Sequence, residues 1–187
     1  MLEVRWHGRG GQGAKTAAQF LAEAALELGK HIQAFPEYGP ERAGAPIRAY
    51  TRIDDNPINI HSGVTNPEVV VVVDPTLLES IDVTEGLGED GVLLVNTPLE
   101  PKLIREKLNF KKGKVATVDA TKISLDTLGI PMPNTPMLGA VEKTIGLVTI
   151  DLIIKKVKDK FLKKIGEEKT AANIDGIKRA YEETKIG

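Results

Sequence analysis

Residues 69–73 read Val-Val-Val-Val-Val. A β-branched run with no polar residue alternating through it belongs to a strand covered on both faces, and such strands occur in parallel sheets flanked by helices. Three other segments fit the same sheet: residues 2–6, 92–96 (VLLVN) and 114–118. Helical periodicity separates them. Residues 14–28 place Ala18, Leu21, Ala25 and Leu28 on one stripe, with Gly29 as the stop. Residues 102–108 and 121–128 read as shorter helices, the second stopped by Gly129. Residues 31–35 are expected to form a strand ended by Pro36. Residues 47–53 alternate as IRAYTRI, a strand exposed on one face, with 58–60 as an antiparallel partner and 77–87 as a short helix or irregular crossover. Residues 139–165 carry Ile145, Val148, Leu152, Val157 and Phe161 at helical spacing, with a break near Gly146; after Gly166 a more polar helix spans 169–184. This order predicts an α/β fold with three layers: a mostly parallel sheet, antiparallel edge strands and helices on both faces. No repeat or linker divides it, so residues 1–187 are expected to form a single domain.

Composition narrows the chemistry. The 25 basic and 26 acidic residues leave a formal charge of -1, which argues against a protein that coats nucleic acid by neutralising phosphates. With no cysteine, the chain has no disulfide, no thiol nucleophile and no thiolate to hold an iron–sulfur cluster. His7, His31 and His61 lack metal-ligand spacing, so no metal site is expected. No apolar run reaches the length of a membrane span, and MLEVRWHG does not read as a signal peptide, so a cytoplasmic location is expected. No Ser/His/Asp set or carboxylate pair forms a catalytic constellation. His7, beside the glycine turn, reads as a structural histidine at a strand end.

The turn HGRGGQG joins the first strand to the first helix. Gly8, Gly10 and Gly13 match G-x-G-x-x-G, the dinucleotide fingerprint. The same run approximates a P-loop, but Ala14 is one residue too many before Lys15 and Thr16. A tight turn needed only for helix–sheet packing is a third reading. Backbone N–H groups from Gly10 to Ala14 are expected to lack helical acceptors and to lie at the positive end of the helix dipole, where an anion is favoured. The second strand supplies no acid placed for a ribose.

Two loops stand out. PEYGPERAGA, residues 36–45, is stiffened by proline and loosened by glycine, and carries Glu37, Tyr38, Glu41 and Arg42. Beyond it, Arg48, Tyr50 and Arg52 share one strand face, expected to bind an anion or to pair with acids on a neighbour. PMPNTPMLG, residues 131–139, reads as a proline-rich loop. Its Met132, Met137 and Leu138 either form a protein interface or tuck over the core, and Asn134 and Thr135 are placed to hold neighbouring backbone.

HGRGGQG, then FPEYGPERAGAPIRAYTRI, then NTPMLGA resemble the gamma subunit of 2-oxoacid:ferredoxin oxidoreductases such as pyruvate synthase, from Val4 to about Lys164. The resemblance implies a complex that oxidatively decarboxylates a 2-oxoacid, pyruvate foremost, with coenzyme A to acyl-CoA and CO2, reducing ferredoxin. It implies thiamine diphosphate and magnesium between alpha and beta subunits, and 4Fe-4S clusters in the beta and delta subunits. This chain would bind none of these alone and would be inactive by itself. Family motif positions fall on Gly8, Arg9, Gly10, Gly11, Gln12 and Gly13, on Phe35, Pro36, Gly39, Glu41, Arg42, Gly44 and Pro46, and on Asn134. From these, Arg9, Gly10, Gly11, Gln12, Gly13, Glu41, Arg42 and Asn134 are expected to form the cofactor-binding set, the guest of the glycine turn being a phosphate of coenzyme A or, failing that, a carboxylate of a partner subunit. Ala43 stands where many relatives carry a second arginine, which removes a paired guanidinium but leaves Arg42. The alternatives are a free-standing nucleotide-binding oxidoreductase built on Gly8–Gly13, or a small adaptor domain. Lysine and glutamate in abundance resemble the usage of heat-adapted proteins.

Overall fold

Four strands buried on both faces pair in parallel at the centre of a seven-stranded sheet: β1 (Leu2–Arg9), β4 (Val69–Val72), β5 (Val92–Asn96) and β6 (Lys114–Val118). The computed structural model describes residues 1–37 and 44–187. Beyond β1 lie β3 (Pro46–Asp54) and β2 (His31–Glu37), each antiparallel to its neighbour, and β7 (Lys185–Ile186) closes the far edge antiparallel to β6. The order across the sheet is β2-β3-β1-β4-β5-β6-β7. This is the expected three-layer α/β architecture with a parallel centre and antiparallel edges.

Strand alternation sorts the core into two halves. Val69, Val71 and Val73 face one side with Val4, Trp6 and Leu94, under α1 (Ala14–Leu26), α3 (Ala120–Leu128), α4 (Asn134–Ile145) and α5 (Ile150–Glu183). Val70, Val72, Leu93, Val95 and Val115 face the other, under α2 (Pro101–Lys107) and the irregular crossover 75–91, which begins as the 3-10 turn Pro75–Glu79. Gly29, Gly129 and Gly146 all adopt positive φ near helix ends, as a left-handed C-terminal residue requires. Gly166, with φ 81°, interrupts α5 where the sequence places a break.

Several expectations are corrected. Pro36 does not end β2, which runs on to Glu37. β2 is an edge strand, where a residue without an N–H leaves no ladder bond broken. Residues 58–60 form no strand; they run as irregular chain, and the carbonyls of Ile58 and Ile60 accept from Gln33 and Arg52. Strand β3 is therefore covered on both faces: Tyr50 and Arg52 are 2% and 1% exposed. Leu28 lies beyond the end of α1 and is exposed, so it leaves the apolar stripe. The largest correction concerns residues 131–139. Asn134 opens α4, and Met137 and Leu138 are fully buried in the core, whereas Met132 stays partly exposed. Pro136 is tolerated because it falls in the first turn, where a backbone N–H has no intrahelical acceptor.

Candidate functional site

The chain leaves β1 through α1 to β2 and β3 on one side, while β4 lies on the other. The crevice beyond the carboxyl ends of β1 and β4 is thus the topological switch point, where open α/β sheets bind ligands. Arg9 and the glycine turn enter it from β1, and Asp74 and Thr76 enter it from the end of β4.

These residues form one hydrogen-bonded frame. The Arg9 backbone N–H donates to Gln12 Oε1 at 2.7 Å, and Gln12 Nε2 donates to Asp74 Oδ2 at 2.6 Å. Arg9 Nε lies 3.3 Å from the same carboxylate oxygen, Arg9 Nη2 donates to Thr76 Oγ1 at 3.0 Å, and Nη1 to the Gly44 carbonyl at 3.3 Å. Asp74 Oδ1 accepts from the Thr76 backbone N–H at 2.9 Å and from its hydroxyl at 2.6 Å. Burial pushes the Asp74 carboxyl up, but the bonds from Thr76 and Gln12 and the charge of Arg9 outweigh it and hold it below its ordinary value. Asp74 and Thr76 escape a reading of motifs alone. The available signal was an Asp-Pro-Thr end on the buried valine run, a side chain that caps the following turn.

The backbone donors are fewer than expected. Gly10 N–H donates to the Ala45 carbonyl at 3.0 Å and Gln12 N–H to the Arg9 carbonyl at 3.1 Å, because the turn folds back on itself and against the start of β3. The amides of Gly11, Gly13 and Ala14 remain as candidate donors. Gly11 has φ +96° with open space beyond it. Helix α1 starts with no side-chain cap and no acid in its first turn, so no group of its own offsets the positive end of its dipole.

Asn134, from the third motif, comes to the same place. Its carboxamide packs on Gly13 so closely that an added Cβ there would lie 2.5 Å from Nδ2. The Asn134 Oδ1 is buried and has no partner among the described residues. The same side chain lines a groove of about 330 Å³ walled by Ile130, Met132, Phe161 and Ile165. The fold thus gathers Arg9, Gly10, Gly11, Gln12, Gly13 and Asn134. Glu41 and Arg42, with Tyr38, lie outside the described residues.

The Arg-Tyr-Arg face pairs internally. Arg52 Nε meets Glu3 on β1 at 2.6 Å and Nη1 donates to Gln33 on β2 at 3.2 Å, while the Tyr50 hydroxyl donates to Glu37. Of the two readings offered for this face, pairing with acids on neighbouring strands describes Tyr50 and Arg52. His7 is buried and accepts from Arg5 Nε at 3.1 Å; burial, with the charges of Arg5 and Arg48, pushes its imidazole down to about 3. It is neutral at ordinary pH and a poor proton acceptor, as a structural histidine is.

Chemically, the described residues of the crevice offer fixed cationic and N–H donors, and among them no nucleophile is paired with a proton acceptor free to activate it. Among the described residues no three His, Asp or Glu side chains cluster as metal ligands, and no helix is long and apolar enough to cross a membrane. The dinucleotide reading loses its second half, because antiparallel β3 separates β2 from β1, and the acid that the parallel neighbour β4 does bring, Asp74, is already bonded to Thr76 and Gln12 and paired with Arg9.

Comparison with known proteins agrees with this geometry. The family model for "Pyruvate ferredoxin/flavodoxin oxidoreductase" matches residues 3–183. The chain is 52% identical over 186 residues to the pyruvate/ketoisovalerate oxidoreductases common subunit gamma of Pyrococcus abyssi, covering 100% of this chain and 98% of that one. It is 54% identical over 184 residues to pyruvate synthase subunit PorC of Thermotoga maritima, covering 98% and 95%. The crystal structure of pyruvate oxidoreductase subunit PORC from Thermotoga maritima matches with a TM-score of 0.87 at 49% identity, over 100% of this chain and 98% of that one. A glycine turn framed at the switch point, Asn134 packed against it and relatives matched along their whole length all lead to one assignment: the chain belongs to the pyruvate ferredoxin/flavodoxin oxidoreductase family, as a gamma subunit.

Proposed function

We propose that this gamma subunit works in a complex that oxidatively decarboxylates pyruvate with coenzyme A, giving acetyl-CoA and CO2 and reducing ferredoxin, and that its own part is to hold a phosphate of coenzyme A. Alpha, beta and delta subunits are its partners, and the complex is cytoplasmic. Thiamine diphosphate, magnesium and 4Fe-4S clusters belong to those partners and supply the carbanion and electron-transfer chemistry. This chain's donor set does not suit them: it has no cysteine, and its described acids gather around no common point.

The observation that carries the reading is the uncapped start of α1 at the switch point, beside an Arg9 already oriented by neighbouring side chains. A dianionic phosphate gains there from the helix dipole, from the amides of Gly11, Gly13 and Ala14, and from the planar fork of Arg9. Gln12 shapes the turn, Asn134 supports it through Gly13, and Glu41 and Arg42 of the family motif belong to the same coenzyme-binding set. Residues 1–187 act as one domain in this role.

The test is steady-state kinetics on the assembled complex. Arg42→Lys keeps the charge but loses the fork, and it is expected to raise the KM for coenzyme A by roughly 3- to 30-fold, the range for losing a charge-assisted hydrogen bond. Arg9→Ala should do the same. If both leave KM unchanged while the subunits separate at lower salt, the guest is a partner's carboxylate and the coenzyme reading is wrong. Decarboxylation by the isolated chain would also overturn it.

A further inference from the structure

We propose that Asp74 is the positioning residue of the glycine turn, an acid kept at an anion site to aim its donors. The inference rests on the coenzyme reading above. An acid there looks counterproductive, since it opposes an incoming phosphate. The bonding resolves this. Asp74 is 7% exposed, at the end of β4, and each oxygen is already committed. Oδ1 takes the Thr76 amide and hydroxyl, and Oδ2 takes Gln12 Nε2 at 2.6 Å and faces Arg9 Nε at 3.3 Å.

The frame then propagates outward. Gln12, fixed by Asp74, presents its carbonyl oxygen to the Arg9 amide, which sets the first residue of the turn. Thr76, fixed by Asp74, accepts from Arg9 Nη2. With Nε at 3.3 Å and one N–H of Nη2 at 3.0 Å both donating to Thr76 Oγ1, one N–H of Nη1 donating to Gly44, and the Asp74 carboxylate 3.3 Å from Nε as the ion partner, the described contacts engage three of the five guanidinium N–H groups. The described contacts leave two guanidinium N–H groups for a ligand, and Asp74, through Thr76 and its own charge, fixes the orientation of the group that carries them. Asp74 need not touch the ligand; it acts through Gln12 and Arg9. A rigid first contact with its own supporting residue loses less entropy on binding than a free arginine does.

Asp74→Asn tests this in the assembled complex. The new carboxamide can still accept from Thr76, but it turns N–H groups toward Gln12 Nε2 and Arg9 Nε. The coenzyme A KM is expected to rise about 5- to 20-fold with kcat within twofold, the loss of one charge-assisted contact. Adding Gln12→Glu reverses the polarity: the new carboxylate at position 12 accepts from both the Arg9 amide and the carboxamide at position 74. The pair is expected to return KM to within about threefold of the parent. If Asp74→Asn fails to assemble, Gln12→Ala cuts the same link without touching the Thr76 cap and is expected to raise KM likewise. A KM unmoved by Asp74→Asn or Gln12→Ala but raised by Arg9→Ala overturns the positioning role and leaves the coenzyme site standing. No recovery in the double variant overturns it too. A KM unmoved by Arg9→Ala and by Arg42→Lys alike removes the coenzyme reading itself, and this inference with it; one unmoved by Arg9→Ala but raised by Arg42→Lys overturns this inference alone.

Discussion

Gly13 carries two constraints at once: a φ of +77°, and the Asn134 side chain packed on its Cα. Gly13→Ala is expected to cost about 1–3 kcal/mol from backbone strain and contact together. Asn134→Ala in that background should recover part of the loss, as read by denaturant midpoints, because it removes the contact and leaves the strain. Gly11 differs: its φ is +96° and nothing stands within 4 Å of a side chain there. Gly11→Val thus meets no clash but still strains the backbone at that φ; it is expected to cost about 1–3 kcal/mol without unfolding the isolated chain and to damage assembly or coenzyme A use, and an unchanged complex would refute a role for the turn. His7 makes a pH prediction. Its native value near 3 lies below the ordinary 6.5, so the stability it contributes is present above pH 6.5 and is lost as pH falls toward 3, where the unfolded chain binds the proton. His7→Gln, which can still accept from Arg5, is expected to shift the acid unfolding midpoint to lower pH in circular dichroism.

Helices α4 and α5 meet through glycine. A Cβ on Gly139 would be driven into the Ile177 backbone carbonyl, so the two helices approach closer than any side chain there permits. Gly139→Ala is expected to destabilise by about 3 kcal/mol or more, since backbone rather than a movable side chain must give way. The loop between these helices is clipped by Glu142, which accepts the Val148 N–H at 3.1 Å. Burial pushes Glu142 up to about 7, against the pull of the Val148 and Leu147 amides. The fold therefore favours the protonated acid. The stability Glu142 contributes is full below its ordinary 4.5 and is lost as pH rises through 7. Glu142→Gln keeps an acceptor without the charge. It is expected to raise the melting temperature by roughly 2–8 °C at pH 8.5, about 1–2 kcal/mol, and to change it little at pH 5.

At the scale of the whole molecule, α1 and α5 are joined by charge as well as by packing. Lys155 meets Glu27 at 3.2 Å, Lys156 pairs with the same carboxylate, and Lys160 meets Glu23 at 2.6 Å while lying over Phe20. Phe20 and Phe161 stack edge to face beneath them, with centroids 5.3 Å apart. Part of the lysine run on α5 is thus a clasp between two helices. Linked pairs of this kind hold their value on heating better than isolated ones. The assembled complex is expected to melt above about 60 °C in calorimetry, and a lower midpoint would count against heat adaptation.

The sequence by itself determined the central strands. β5 and β6 fall at the expected boundaries and β4 within one residue, because a strand covered on both faces must be apolar throughout. It determined the stops at Gly129, Gly146 and Gly166 as well, since positive φ is a local demand that glycine meets. The turn at Gly10–Gly13 was equally legible, and the family with it. Tertiary structure alone decided the rest. The proline-rich stretch at Asn134 became a helix because its Met137 and Leu138 had a core to enter, a gain that no local signal records. Arg48, Tyr50 and Arg52 read as an exposed polar face, but Glu3, Gln33 and Glu37 lie opposite them in the strand register, 11 to 49 residues away in the chain. Asp74 joined the glycine turn only when β4 settled beside β1, 62 residues after Gln12. Periodicity and turn chemistry are properties of neighbours in sequence; which acid completes which donor is fixed by strand register, and register exists only in the folded sheet.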